Sequence, residues 1–478
     1  MRTIANNFFF FKRYVSVRIG RHSDISWSQT YCKHSTQKIL SIAICIFAPI
    51  FALANIVPVS QDFKLLDEAP QTIYQHNVSH VDKNGRLLSQ FEVKRSFFPI
   101  CIYHVLVGQH YGKRHTLSEI TKAGFNCVHL WEGQALDTSM SFLESQNLQV
   151  LFHNPTADDV KKYKEHPSIL GWYLDEEPTS LYWGNKMDER YQLFLAKQKS
   201  FKSIDSIHPI FILDSAWITF PANSWWAKWS SASDIAVHDN YPIGPGTKSL
   251  SFVNGIPETV SLSVSINKEK KPVWFVAQAF EEPRPENYRW SMPSPRELRA
   301  MIYAAIAHGA TGIIYFAYDS WVTRNGYILG MAPNPEVDYF APGRDHFKIT
   351  KSQILASKNL WHAASNLNTE INSLKSFLLS KTSSVNYKVS IQGKPFSKTP
   401  IRCILKEKSN RYALICVNID RTPLWVRFEF AEALSFVNLP IDETSIKPNR
   451  TLWVDRYEEY GVRVYELEFA NNHVGNSA

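Results

Sequence analysis

The sequence predicts a (β/α)₈ barrel followed by a smaller all-β sandwich. Three observations carry that prediction. From residue 97, short apolar runs alternate with charged stretches of helical period, the pattern of a parallel βα array. Eight such runs fit within about 220 residues, the count and size of a closed barrel. Beyond residue 380 the helical period gives way to two-residue alternation, as in strands with one buried face.

The strands are expected at 98–103, 126–131, 149–153, 170–174, 209–213, 235–238, 272–277 and 312–316. The first intervening helix ends at Ala123-Gly124, where glycine suits the residue after a helix. Helices are clearest at 188–203 and 295–308, the latter opened by Pro295, whose missing N–H does no harm in a first turn. The eighth helix falls at 351–379, so the barrel occupies 97–380. The sandwich occupies 385–470, with alternation plain in 412–418 and 424–430. Ahead of the barrel, residues 55–96 form a lead-in, with Asn84-Gly85 turning a hairpin between 78–81 and 87–91.

Residues 1–54 read as a targeting segment. They carry seven Lys and Arg against Asp24 alone, so six of the eight net positive charges sit there. The remainder is close to neutral and lacks the basic clusters of a nucleic-acid binder. An apolar run at 39–54 ends in Ala52-Leu53-Ala54, a small-residue cleavage signature, and Pro49 interrupts it. Cleavage before Asn55 is expected, with secretion or periplasmic export and no stable membrane span; an uncleaved anchor is the alternative. Four cysteines then remain. Cys101 and Cys127 fall in adjacent barrel strands as small buried residues. Cys403 and Cys416 stand opposite each other in a hairpin around Ser409-Asn410, where an oxidising compartment would join them; two buried thiols are the other reading.

Barrel chemistry sits at the C-terminal strand ends. The fourth strand runs into Asp175-Glu176-Glu177-Pro178. Three carboxylates after a buried strand are unfavourable unless solvated or used; a plain acidic helix start is the structural alternative. Trp131, Trp172, Trp183, Trp217 and Trp321 lie near strand ends, where a ring can stack on a sugar, and Trp225, Trp226 and Trp229 suggest a wet aromatic cluster. His104, His129, His153 and His238 lie in or beside strands, but no His-x-His or His-Glu-x-x-His occurs, so they read as core or rim residues.

The segment from His166-Pro167-Ser168 through Gly171-Trp172-Tyr173-Leu174 to Glu176-Glu177-Pro178 resembles the fourth strand of clan-A-type glycoside hydrolase barrels. The stretches at 82–87, 97–103, 271–274 and 308–313 resemble their hairpin and their first, seventh and eighth strands, so the likeness covers roughly residues 80–320. It implies a glycosidase with Glu177 as general acid/base and neither metal nor organic cofactor. Glu176 stands where those families have Asn or Asp.

Glycoside hydrolysis normally needs a second carboxyl group. In the resembled families it ends the seventh strand, where this sequence has Gln278. Glu281 and Glu282 follow in what reads as a solvated loop. Asp239, in Ile235-Ala236-Val237-His238-Asp239-Asn240-Tyr241-Pro242, is the better partner, although a turn aspartate is its bland alternative. Glu176, Gln278, Trp131, Trp172, Tyr241, Asp319 and Glu132 are then substrate-binding candidates, with Gln278 orienting sugar hydroxyls or a water. An oligo- or polysaccharide is the expected partner. A non-hydrolytic carbohydrate-binding barrel and, more weakly, a metal-dependent hydrolase are the competing functions.

Overall fold

The computed structural model describes residues 63–65, 98–105, 117–130, 136–181, 185–215, 222–252, 254–267, 271–282, 290–323, 326–332, 349–392 and 400–470. The targeting segment and the 78–91 hairpin lie outside these residues.

Eight parallel strands close into a barrel. In chain order they are β1 (Ile100–Val105), β2 (Cys127–Leu130), β3 (Gln149–His153), β4 (Ile169–Glu176), β5 (Ile210–Ser215), β6 (Ile235–Asn240), β7 (Val273–Gln278) and β8 (Gly312–Phe316). The strands are buried on both faces, so the sequence shows them as nearly continuous apolar runs. Inward residues such as Leu151, Tyr173, Phe211, Trp274 and Ile314 fill the barrel. The alternate residues, such as Val150, Trp172, Ile212, Phe275 and Ile313, pack under the helices. Gly312 is required by this packing: a Cβ there would lie 2.6 Å from the Trp274 ring.

The helices begin where their caps say. Ser294 caps Pro295–Ala307 and Thr350 caps Lys351–Leu378, each in a reciprocal bond with the side chain three residues on. β4, β5 and β6 each run two residues further than their apolar pattern indicated. That extension carries Glu176, Asp214 and Asp239 on strands rather than in loops, which fixes their backbones.

The all-β part is a sandwich of two antiparallel sheets. One has the order Phe63–Leu65, Tyr387–Gln392, Leu424–Phe430, Leu452–Tyr457. Its first strand comes from the lead-in, with Phe63 paired to Gln392. The other has the order Lys381–Thr382, Ile401–Lys408, Arg411–Asn418, Val462–Phe469, Leu434–Leu439, Thr444–Ile446. One face of this larger sheet, through Ile404, Ile415, Val417 and Val464, shares an apolar layer with the barrel helix Pro295–Ala307. Arg421 reaches across the same junction to Glu297 at 2.6 Å.

Cys403 pairs with Cys416 in register and the two form a disulfide. Cys101 and Cys127 differ from the expectation of plain buried thiols: they too are joined, their Cα atoms 4.5 Å apart on neighbouring strands. Parallel pairing brings Cys101 opposite Cys127, a register that sequence spacing does not reveal.

Candidate active site

The three acids at and just past the end of β4 go to three different places. Asp175 turns to the outer helix Asn185–Ile204, where Arg190 grips it with Nε at 2.8 Å and Nη2 at 2.9 Å. That bidentate fork accounts for its charge structurally. Glu176 faces the mouth, with its side chain about a third exposed. The Tyr103 hydroxyl donates to it at 2.8 Å, and His153 Nε2 lies 3.9 Å from its other oxygen.

Glu177 directly follows the strand in the left-handed region, at φ 42°. Its N–H still donates to the Leu213 carbonyl of β5 at 2.7 Å, and Pro178 opens the short helix Pro178–Leu181. A side chain held in this conformation costs on the order of 1 kcal/mol, and such residues cluster at functional sites.

Asp239 lies at the C-terminal end of β6, only 3% exposed. It lies close enough to the Glu177 carboxyl and the Tyr241 hydroxyl for its charge to raise the pKa of both. Two neighbouring buried carboxyls cannot both ionise readily. Burial first, and then the charge and hydrogen bond of Asp239, push the Glu177 pKa well above the usual carboxylate range; Glu176 and Asp214 add to the shift. Burial likewise pushes Glu176 up to about 7, with Tyr103 opposing and Asp239 and Asp175 reinforcing.

Rings line the mouth. Tyr103 stacks on His129 at 3.8 Å, His153 on Tyr173 at 4.6 Å and His104 on Trp321 at 3.9 Å. Tyr241 stacks on Phe316 at 5.5 Å with Trp290 edge-on at 5.9 Å. Burial lowers His104 to about 3 and His153 to about 4, so these imidazoles are neutral near pH 7. Uncharged rings beside acids suit the mixed apolar and hydroxylated surface of a sugar. Among the described residues, no group of three or more His, Cys, Asp or Glu is arranged to hold a metal ion.

Glu176, Glu177, Asp239 and Tyr241 thus converge. Gln278 does not join them as a sugar ligand. It is fully buried; its Oε1 accepts from Ile243 N–H at 2.8 Å, and its Nε2 donates to the carbonyls of Ile243 at 2.9 Å and Ser291 at 2.8 Å. Both amide protons are used, so Gln278 braces the loop after β6 instead of orienting substrate.

Trp172 is also no platform. It sits on the outer face of β4, fully buried, with its indole N–H bonded to Asp205 at 2.8 Å. Asp319 is 1% exposed, its N–H directed to the His104 carbonyl at 3.3 Å. Trp226 and Trp229 are not a wet cluster: the helix Ala222–Ala232 buries both and leaves Trp225 at the edge. Glu282, expected in solvent, is 7% exposed. Trp131, Glu132, Trp183 and Trp217 lie outside the described residues.

Tyr103, Tyr173 and Asp214 complete the site and were not singled out from sequence. The two tyrosines were accessible in principle, because strand alternation that sends Trp172 outward sends Tyr173 inward.

No protein-family model and no curated protein matches the chain. Among solved structures, it is similar to a β-galactosidase from Bacillus circulans sp. alkalophilus, with TM-score 0.50 and 10% identity over 77% of this chain and 99% of that one. A GH42 β-galactosidase from G. stearothermophilus has TM-score 0.46 and 8% identity over 77% of this chain and 98% of that one. With the closed barrel and the all-β sheets, the first of these likenesses shows the fold: a (β/α)₈ barrel followed by a C-terminal all-β domain.

Proposed function

We propose that this protein is an exported glycoside hydrolase that cleaves O-glycosidic bonds of an oligo- or polysaccharide. Glu177 is its general acid/base and Asp239 its partner carboxylate. The observation that carries this reading is Glu177, in a left-handed turn directly after one barrel strand, with the buried Asp239 near it at the C-terminal end of another. Burial and acidic neighbours favour the protonated form of Glu177, the form a general acid requires. Asp239, near the Tyr241 hydroxyl, would attack the anomeric carbon or activate the attacking water.

Working carboxyl pairs stand about 5 Å apart in retaining enzymes and about 6.5–9.5 Å apart in inverting ones. Which of these separations the Glu177–Asp239 pair adopts decides whether the anomeric configuration is kept or inverted.

The brace at Gln278 leaves the seventh strand without an acid at its end, which favours a second reading, a carbohydrate-binding barrel without hydrolysis. A panel of aryl glycosides and polysaccharides separates the two. Turnover of any member by wild type, lost in Glu177→Gln, supports the hydrolase. Saturable binding without turnover supports the binding module.

Export fits the two disulfides, since such bonds persist in oxidising compartments. Alkylation without reduction, followed by mass spectrometry of the mature protein, should give a chain starting at Asn55 with no modified cysteine. Retention of residues 1–54, or labelling of any of Cys101, Cys127, Cys403 and Cys416, would count against this assignment.

A further inference from the structure

The turn that presents Glu177 is gripped from β5. Asp214, next to last in that strand, is 2% exposed. Its Oδ1 accepts from the Thr179 N–H at 3.2 Å, the Thr179 hydroxyl at 2.7 Å and the Ser215 N–H at 2.9 Å. Its Oδ2 is buried without a hydrogen-bond partner among the described residues. Thr179 lies in the short helix that Pro178 opens directly after Glu177, and Glu177 itself donates its N–H to Leu213, the neighbour of Asp214. β5 therefore holds the chain on both sides of Pro178. A left-handed side-chain-bearing residue persists only where its surroundings over-determine it.

We propose that Asp214 is a positioning residue for Glu177: through Thr179 it fixes the strained turn, and its carboxyl sets an acidic group behind the Glu177–Asp239 pair. What Glu177 does with its proton rests on the hydrolase reading; the grip itself does not.

The groups that act on the Glu177 carboxyl are Asp239 from β6, Glu176 from β4 and Asp214 from β5, all acidic. Three hydroxyls feel its charge, from Tyr103, Tyr173 and Tyr241. The nearby cation Arg190 is taken by Asp175, and His153 is neutral. Burial raises Asp214 to about 7, against the Thr179 and Ser215 bonds and with the charge of Asp239. Removing the charge at 214 thus lowers the pH at which Glu177 loses its proton.

The test uses the full chain with Asp214→Asn, Asp214→Ala and Thr179→Val. Asparagine keeps the Oδ1 acceptor and removes the charge. Carbon-13 NMR of glutamate-labelled protein follows the Glu177 carboxyl without any substrate, its signal identified by its loss in Glu177→Gln. The Glu177 midpoint should fall in Asp214→Asn and stay in Thr179→Val; an unmoved midpoint in Asp214→Asn overturns the proposal.

On an aryl glycoside that wild type turns over, Asp214→Ala should lose on the order of 10- to 100-fold in kcat with little change in KM. Asp214→Asn should recover much of that loss, with its basic limb displaced to lower pH. Equal losses in the two variants would also overturn it. Should wild type turn over no glycoside, the hydrolase reading fails while the titration still decides the role of Asp214.

Discussion

Glu177→Gln is expected to lower turnover of unactivated glycosides by ~10²–10⁴-fold, the usual contribution of a positioned general acid. The amide keeps the size and shape of the side chain but cannot protonate a departing oxygen. Binding should survive, because the ring-lined mouth is untouched. Nitrophenyl glycosides should lose less, since their leaving groups need little protonation. In wild type the rate should hold while Glu177 keeps its proton and fall as pH rises through its elevated pKa. Glu176→Gln should do less damage, because the Glu176 carboxylate is already held by the Tyr103 hydroxyl. It should also displace the basic limb to lower pH by removing one negative neighbour of Glu177. Steady-state kinetics on matched substrates check both. If Glu176→Gln abolishes turnover and Glu177→Gln does not, the acid is Glu176.

Gln278→Glu is expected to destabilise the fold rather than to supply a nucleophile. The amide donates to two backbone carbonyls in a fully buried site. A carboxylate there would face both oxygens with no proton to give, at a cost on the order of 3 kcal/mol or more at neutral pH. Its folded-state pKa would be raised above the unfolded value. The loss should therefore be smallest below the unfolded pKa, grow as pH rises and level off above the folded pKa. Urea midpoints measured across pH test this. Gln278→Met, which breaks the same bonds without adding a charge, should lose stability nearly independently of pH at this site. Wild-type stability of Gln278→Glu at pH 7 would show that the loop is not clamped through this amide.

The barrel was legible because each strand is an apolar run between helices with clear ends, and β3 and β8 match their expected limits. Glu177 and Asp239 could be singled out as acids close to a proline just past an apolar run, and the structure sets them near each other at one end of the barrel. What the sequence hid depends on facing and register. Trp172 and Tyr173 are adjacent, yet one packs outward and the other into the barrel. Asp214 follows directly after the apolar run Ile210–Leu213 and looks like any acid at a strand end; its importance comes from Thr179, 35 residues away in sequence. Gln278 looked like an altered catalytic position, and only the positions of the Ile243 and Ser291 carbonyls reveal a brace. Cys101 and Cys127 needed the parallel register of β1 and β2.

The strand Phe63–Leu65, paired with Tyr387–Gln392, makes the sandwich discontinuous in the chain. During synthesis that early segment has to wait while the whole barrel emerges before its partner exists. Loop-closure entropy grows only slowly with length, so the delay is mainly a matter of timing rather than of final stability. Until the two meet, Tyr387–Gln392 offers an unpaired edge to other nascent chains, the usual template for intermolecular association. A truncation that begins at Phe97 would keep the barrel sequence yet make that transient hazard permanent.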